Sequence, residues 1–204
     1  MSTEEVIAVK RSLNPELKQG LRLGLSLFLI TAAAALILSL VNALTAGPIA
    51  RRQAAERQAA LEAVMPGANV FSELYSVDET IERISGAYIG TTFLGYCVEV
   101  APNGFGGAIS LMVGVADGGD ITGVAILDHS ETPGLGARAA QPEFLDQYIG
   151  KSGTVTVNGG RNAIDAVSGA TITSKAVTSG VNTALTAVLR YIAEGGYIPD
   201  EGNV

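Results

Sequence analysis

The chain is poor in the residues that build cross-links and metal sites. Its 204 residues include one cysteine, Cys97, one histidine, His129, and no tryptophan. A lone cysteine forms no internal disulfide. It cannot supply the four ligands that an iron–sulfur cluster normally takes. Cys97 lies in an apolar, strand-like run and reads as a buried structural thiol. A single histidine argues against a dedicated zinc site, and no Ser/His/Asp arrangement for nucleophilic catalysis is evident. Basic residues are also scarce: 13 Lys and Arg stand against 20 Asp and Glu. Beyond Gly47 the balance is nine against seventeen. Such an acidic domain lacks the basic patch that nucleic acid rewards, and it disfavours tight docking onto anionic lipid. No Gly-x-Gly-x-x-Gly joins a strand to a helix, so this chain is not expected to bind NAD.

The apolar residues it does have are unevenly spread. Leu21 to Ala46 is nearly continuous, with Arg22 at its edge as the one charge. This exceeds the roughly 20 residues needed to cross a bilayer. It also exceeds the apolar core of a signal peptide, about 7–15 residues. No cysteine stands at its end, so a lipoprotein anchor is unsupported, and the run reads as one uncleaved transmembrane helix. Lys10, Arg11, Lys18 and Arg22 precede it, while Arg51, Arg52 and Arg57 follow. That asymmetry favours a cytoplasmic N-terminus only slightly.

Around this span the chain divides into a short polar cytoplasmic tail (1–20), the span (21–46), a helical juxtamembrane linker (47–66) and a compact domain (67–204). Pro48 suits a first helical turn, and the Ala-, Arg-, Gln- and Glu-rich stretch after it favours helix until Pro66-Gly67. Residues 68–92 carry no clear signal. Leu94 to Val100, Ala108 to Ala116 and Ile121 to Asp128 read as strands. Asp117-Gly118-Gly119-Asp120 reads as the hairpin turn between the last two. Pro142 to Ile149 reads as a short helix and Thr154 to Val157 as a short strand. Val177, Val181, Leu185, Val188, Leu189 and Ile192 recur at helical spacing until Gly195-Gly196. The expected fold is α+β: an N-terminal transmembrane helix, then antiparallel strands packed on helices.

The most informative segment is Asp165-Ala166-Val167-Ser168-Gly169-Ala170-Thr171-Ile172-Thr173-Ser174. It places hydroxyl groups at the start of the last helix, with Thr173 or Ser174 as the natural N-cap. A helix start offers unpaired N–H groups and partial positive charge, which suit a phosphate. Alone, a Ser-Gly-Ala-Thr string is usually an ordinary turn. Two further segments change its weight: His129-Ser130-Glu131-Thr132-Pro133-Gly134-Leu135-Gly136 and Asn103-Gly104-Phe105-Gly106-Gly107.

Ser168-Gly169-Ala170-Thr171-Ile172-Thr173 resembles the S/T-G-A-T-x-S/T signature of the FMN-binding domain family. The two other segments are similar to that family's H-x-E-T-P-G-L-G and aromatic-glycine loops. Their order and the N-terminal span also match, so the resemblance covers nearly the whole chain. It runs to the G subunits of Rnf-type complexes, which link ferredoxin and NAD to ion transport. The C subunits of sodium-pumping NADH:quinone oxidoreductases are the alternative.

The resemblance implies one FMN per chain, joined through its phosphate to Thr173 by a separate flavin transferase that uses FAD and a metal ion and releases AMP. It implies an electron-transfer subunit without a complete catalytic site of its own. Its partners would be other subunits of a membrane redox complex, with the flavin domain outside the cytoplasm and one helix in the cytoplasmic membrane. Ser168 and Thr171 would shape the loop by hydrogen bonds, Gly169 would allow close approach, and Ala170 and Ile172 complete the motif. Lys175 is either a helper for the phosphate or a solvated surface lysine. Glu131, Thr132, Gly134 and Leu135 would wall the ring, with Leu135 on its face. Phe105 is placed either near the ring or in the core, and His129 reads as a structural hydrogen-bonding residue. The reading from another class is an anchored module holding FMN or another phosphate ligand noncovalently.

Overall fold

The computed structural model describes residues 15–74 and 81–193. The expected tail before residue 15 and the glycines expected to end the last helix lie outside these residues. The chain divides into two units, up to Gln53 and from Ala54 onward.

In the first unit the apolar run is helical throughout. Helix α1, Pro15–Val64, begins inside the expected tail and passes through Pro48 without interruption, so span and linker are one helix. Proline within a helix removes one ladder hydrogen bond, a loss that good helix formers on either side can absorb. Leu21, Phe28, Leu36, Leu40 and Leu44 are all exposed. In water such exposure is unfavourable; in a bilayer it is not.

The second unit is built on a five-stranded sheet in the order β1-β2-β3-β4-β5, antiparallel throughout. The strands are β1 (Val70–Leu74), β2 (Ile81–Ile89), β3 (Thr92–Val100), β4 (Ile109–Ala116) and β5 (Ile121–His129). Strands β3, β4 and β5 fall where the sequence pattern places them. Strands β1 and β2 arise from the stretch without a clear signal. Their sequences, VFSEL and IERISGAYI, mix charge and small residues, and neighbours supply the pairing.

Both faces of this sheet are covered, which explains runs as apolar as ISLMVGVA in β4. One face carries Tyr96, Val98, Leu111 and Val113 and packs against Val177, Val181, Leu185 and Val188 of helix α3, Thr171–Ala193. Each such aliphatic side chain contributes about 1.5–3 kcal/mol of transfer free energy. The other face carries Ala87, Cys97 and Met112 and packs against Ala60, Leu61 and Val64 at the end of α1. The Thr122 hydroxyl donates to the Val64 carbonyl, satisfying one acceptor at that helix end. Cys97 is therefore buried, and burial pushes its thiol up to about 12, with Arg57 opposing the shift.

Between β5 and α3 the chain forms a 3-10 turn (Gly136–Ala140), helix α2 (Pro142–Leu145) and a second 3-10 turn (Asp146–Tyr148). The expected short helix is thus an α-turn continued as 3-10. A small parallel pair follows, β6 (Thr156–Val157) with β7 (Ala163–Ile164), of which β7 has no recognisable sequence signal. Asn182 on α3 fixes this segment by bonding both the amide and the carbonyl of Val155, each at 2.9 Å.

Candidate functional site

Helix α3 begins earlier than its hydroxyl residues suggest. Its first residue is Thr171, and the Ser174 amide donates to the Ala170 carbonyl at 2.9 Å. Ala170 therefore occupies the cap position, and neither Thr173 nor Ser174 does. Gly169, at φ +78°, reverses the chain just before the helix and sets this early start. Ser174 ties the turn together: its Oγ accepts from the Val167 amide and donates to the Ala170 carbonyl, both at 3.0 Å. Ser168 and Thr171, both expected to shape the loop by hydrogen bonds, are exposed, and neither forms a side-chain hydrogen bond among the described residues. The amides of Thr171, Ile172 and Thr173 stand in the first turn, where no carbonyl four residues back can accept them.

Thr173 is one of the residues at this helix start that turns inward. It is 2% exposed, and its hydroxyl donates to Glu131 Oε2 at 2.6 Å. Glu131 is itself 6% exposed. Its other oxygen, Oε1, accepts the amides of Phe105 and Gly106 at 2.8 and 2.9 Å. One carboxylate thus joins the aromatic-glycine loop, the loop after β5 and the start of α3. Burial opposes its charge, but the Thr173 hydroxyl and the two amides outweigh that and, with His129 nearby, hold its carboxyl below the ordinary value of 4.5. Glycines make the cage possible, since a methyl group on Gly104 or Gly136 would collide with the Glu131 carboxylate.

Above this contact is a hollow of about 350 Å³ lined by Phe105, Glu131, Thr132, Leu135, Gly136 and residues 169–173. Three large apolar side chains on its rim are open to solvent: Phe105, Leu135 and Ile172. The floor joins the Glu131 carboxylate to the Thr173 hydroxyl and the start of α3, and the rim is apolar, which suits a ligand with a polar end met by the helix start and a flat apolar body. First-turn amides and a hydroxyl fit a phosphate, and the exposed rim fits a ring.

Most residues singled out from sequence meet here. Thr132, Leu135, Gly169, Ala170, Thr171 and Ile172 line the hollow beside Glu131 and Thr173. Phe105 lines it too, with its side chain exposed, so it is not a core plug. Gly134 does not; it sits at the exposed tip of a turn closed by the Leu135 amide on the Thr132 carbonyl, with φ +77°. Lys175 is also absent, because two residues along a helix rotate a side chain by about 200°. It lines a separate groove with Thr178, Ser179 and Asn182. His129 Nδ1 accepts the Glu131 amide at 3.3 Å, in keeping with a structural role. Two contributors escape the sequence reading. Gly136 figures there only as the end of a loop motif, and Ser174 only as a cap.

Residues 104–186 match the FMN-binding domain model, and residues 13–64 match the RnfG N-terminal region. The chain is 38% identical, over 91% of its length and 96% of the relative's, to the G subunit of the Na(+)-translocating ferredoxin:NAD(+) oxidoreductase complex of Acetobacterium woodii. It is 35% identical, over 84% of its length and 85% of the relative's, to the G subunit of the ion-translocating oxidoreductase complex of Cereibacter sphaeroides. Among solved structures, the C subunit of the Na(+)-translocating NADH-quinone reductase of Parabacteroides distasonis is similar at 24% identity and TM-score 0.48, over 54% of this chain and 62% of that one.

Proposed function

The chain belongs to the family of G subunits of ion-translocating oxidoreductase complexes, and we propose that it is a membrane-anchored electron carrier holding one FMN through a phosphoester on Thr173. The observation that carries this reading is the Thr173 hydroxyl at the floor of a hollow that opens on the first-turn amides of α3. FMN supplies one- and two-electron redox chemistry; the protein supplies position and electrostatics. The amides of residues 171–173 stabilise the phosphodiester charge. Leu135, Phe105 and Ile172 give the ring apolar walls and leave one side toward partner subunits. The apolar part of α1 anchors the chain in the membrane. A family relation to complexes named for ferredoxin, NAD and ion translocation supports a place among redox subunits of that kind. A flavin transferase that brings FAD and a metal ion would make the bond, since no cluster of His, Cys, Asp or Glu among the described residues could hold that metal.

A second reading holds FMN in the same hollow without a bond. The burial of Thr173 and the engagement of its hydroxyl by Glu131 favour it. A denaturing gel separates the two, since only a tethered flavin stays fluorescent on the band. Thr173→Ala made with transferase and FAD is expected to carry none, Thr173→Ser some, and Thr171→Ala a flavin still mapped to Thr173. Covalent FMN on Thr173→Ala would refute the assignment, and wild type without any would favour the second reading.

A further inference from the structure

Glu131 is a buried carboxylate whose position calls for more than walling a ligand. It touches no lysine or arginine in the described ion pairs, and His129 is the titratable group beside it. Oxygen Oε1 is fully engaged by the amides of Phe105 and Gly106. Oxygen Oε2 has one partner, the hydroxyl of Thr173, at 2.6 Å. A threonine hydroxyl is a weak nucleophile until something receives its proton. A general base must lie within about 2.6–3.2 Å of the atom whose proton it takes, and Glu131 Oε2 meets that requirement before any ligand arrives.

We infer that Glu131 is the general base for flavin attachment to this chain, so that the acceptor protein brings its own proton acceptor to the transferase. This rests on the covalent reading given above. The co-reactant is a pyrophosphate-linked flavin dinucleotide. Thr173 Oγ1 forms a bond to the phosphorus on the flavin side. The bond from that phosphorus to the bridging oxygen breaks, and AMP leaves with the bonding pair. The Thr173 proton passes to Glu131 Oε2 and from there to solvent. The two amides on Oε1 keep the carboxylate from rotating away, and Gly136 leaves the space in which Oε2 and Oγ1 meet.

A merely structural Glu131 predicts a different order of variants from a base. Glutamine keeps the size and one acceptor for the Phe105 and Gly106 amides, and presents an N–H donor to the Thr173 oxygen, but cannot take a proton. Aspartate keeps the charge but is one methylene short. The test follows covalent flavin on the full chain with time, using transferase and FAD, for wild type, Glu131→Gln, Glu131→Asp and Thr173→Ala. General-base catalysis typically contributes 10²–10⁴-fold, so Glu131→Gln is expected to be slowed at least about 100-fold. Glu131→Asp is expected to stay at least about tenfold faster than Glu131→Gln. Retention of noncovalent FMN reports whether each variant keeps its hollow. Glu131→Gln at the wild-type rate, or at or above the Glu131→Asp rate, overturns the inference and leaves the tether on Thr173 intact. A glutamine variant that has lost both attachment and FMN retention also overturns it, in favour of a structural role. Wild type without covalent flavin, or Thr173→Ala with it, removes the underlying reading instead.

Discussion

Replacing Gly136 by alanine probes the site where it is tightest. A methyl group there would collide with Glu131 Oε2 and stand 2.9 Å from Thr173 Oγ1. The hydrogen bond between those two atoms is 2.6 Å long and both residues are buried, so neither can retreat into solvent. Forcing an extra methyl into a filled site costs about 1–3 kcal/mol. Losing a hydrogen bond to a charged group costs about 1.5–3 kcal/mol. One displacement relieves the clash and breaks the bond, so the two do not add in full, and about 2–3 kcal/mol is expected. For a domain of this size that is roughly 5–10 °C in melting temperature. The measurement is a thermal melt of the detergent-solubilised chain, monitored by near-ultraviolet circular dichroism. Gly118→Ala is the control, because a methyl in that turn meets nothing within 4 Å. A Gly136→Ala protein that melts with wild type and takes up flavin normally would show that the cage around Glu131 is loose, and the reasoning from its geometry would fail.

Acid should weaken the same contact. The Glu131 carboxyl is held below its ordinary value of 4.5, so its contribution is fully present above that pH and is lost as pH falls through the lower folded value. The melting difference between wild type and Glu131→Gln is therefore expected to shrink from about pH 5 downward, and a difference that stays constant or grows contradicts this. Leu135→Ala removes one apolar wall and is expected to leave flavin attached while shifting its absorption spectrum and midpoint potential; no change in either takes Leu135 out of the site. The domain after α1 is expected outside the cytoplasm, so protease added to intact spheroplasts should digest it. Digestion only after lysis reverses that orientation.

How much of this was legible without a structure depended on how local each feature is. The apolar span, strands β3 to β5 and the body of the last helix from Val177 onward each leave a periodic or continuous pattern, because burial of a segment acts on its own residues. Strands β1 and β2 leave none. β3 supplies the pairing for β2, and β2 in turn for β1, and the charges in IERISGAYI sit at exposed positions that count against a strand when the alternation is read alone. The early start of α3 follows from a positive φ at Gly169, which overrides the preference of hydroxyl residues for the cap.

The sequence by itself determined the span, the α+β composition and the chemistry available at residues 168–173 and 129–136. Only the tertiary structure decided which of those groups meet. Glu131 and Thr173 are 42 residues apart, and Glu131 and Phe105 are 26 apart. Their contacts depend on the register of β4 against β5 and on the path from β5 to α3. Helical phase then turned Thr173 inward and carried Lys175 to another groove. Side-chain chemistry is written residue by residue, but a hydrogen bond between distant residues exists only when the whole sheet and the helix above it bring both ends within about 3 Å.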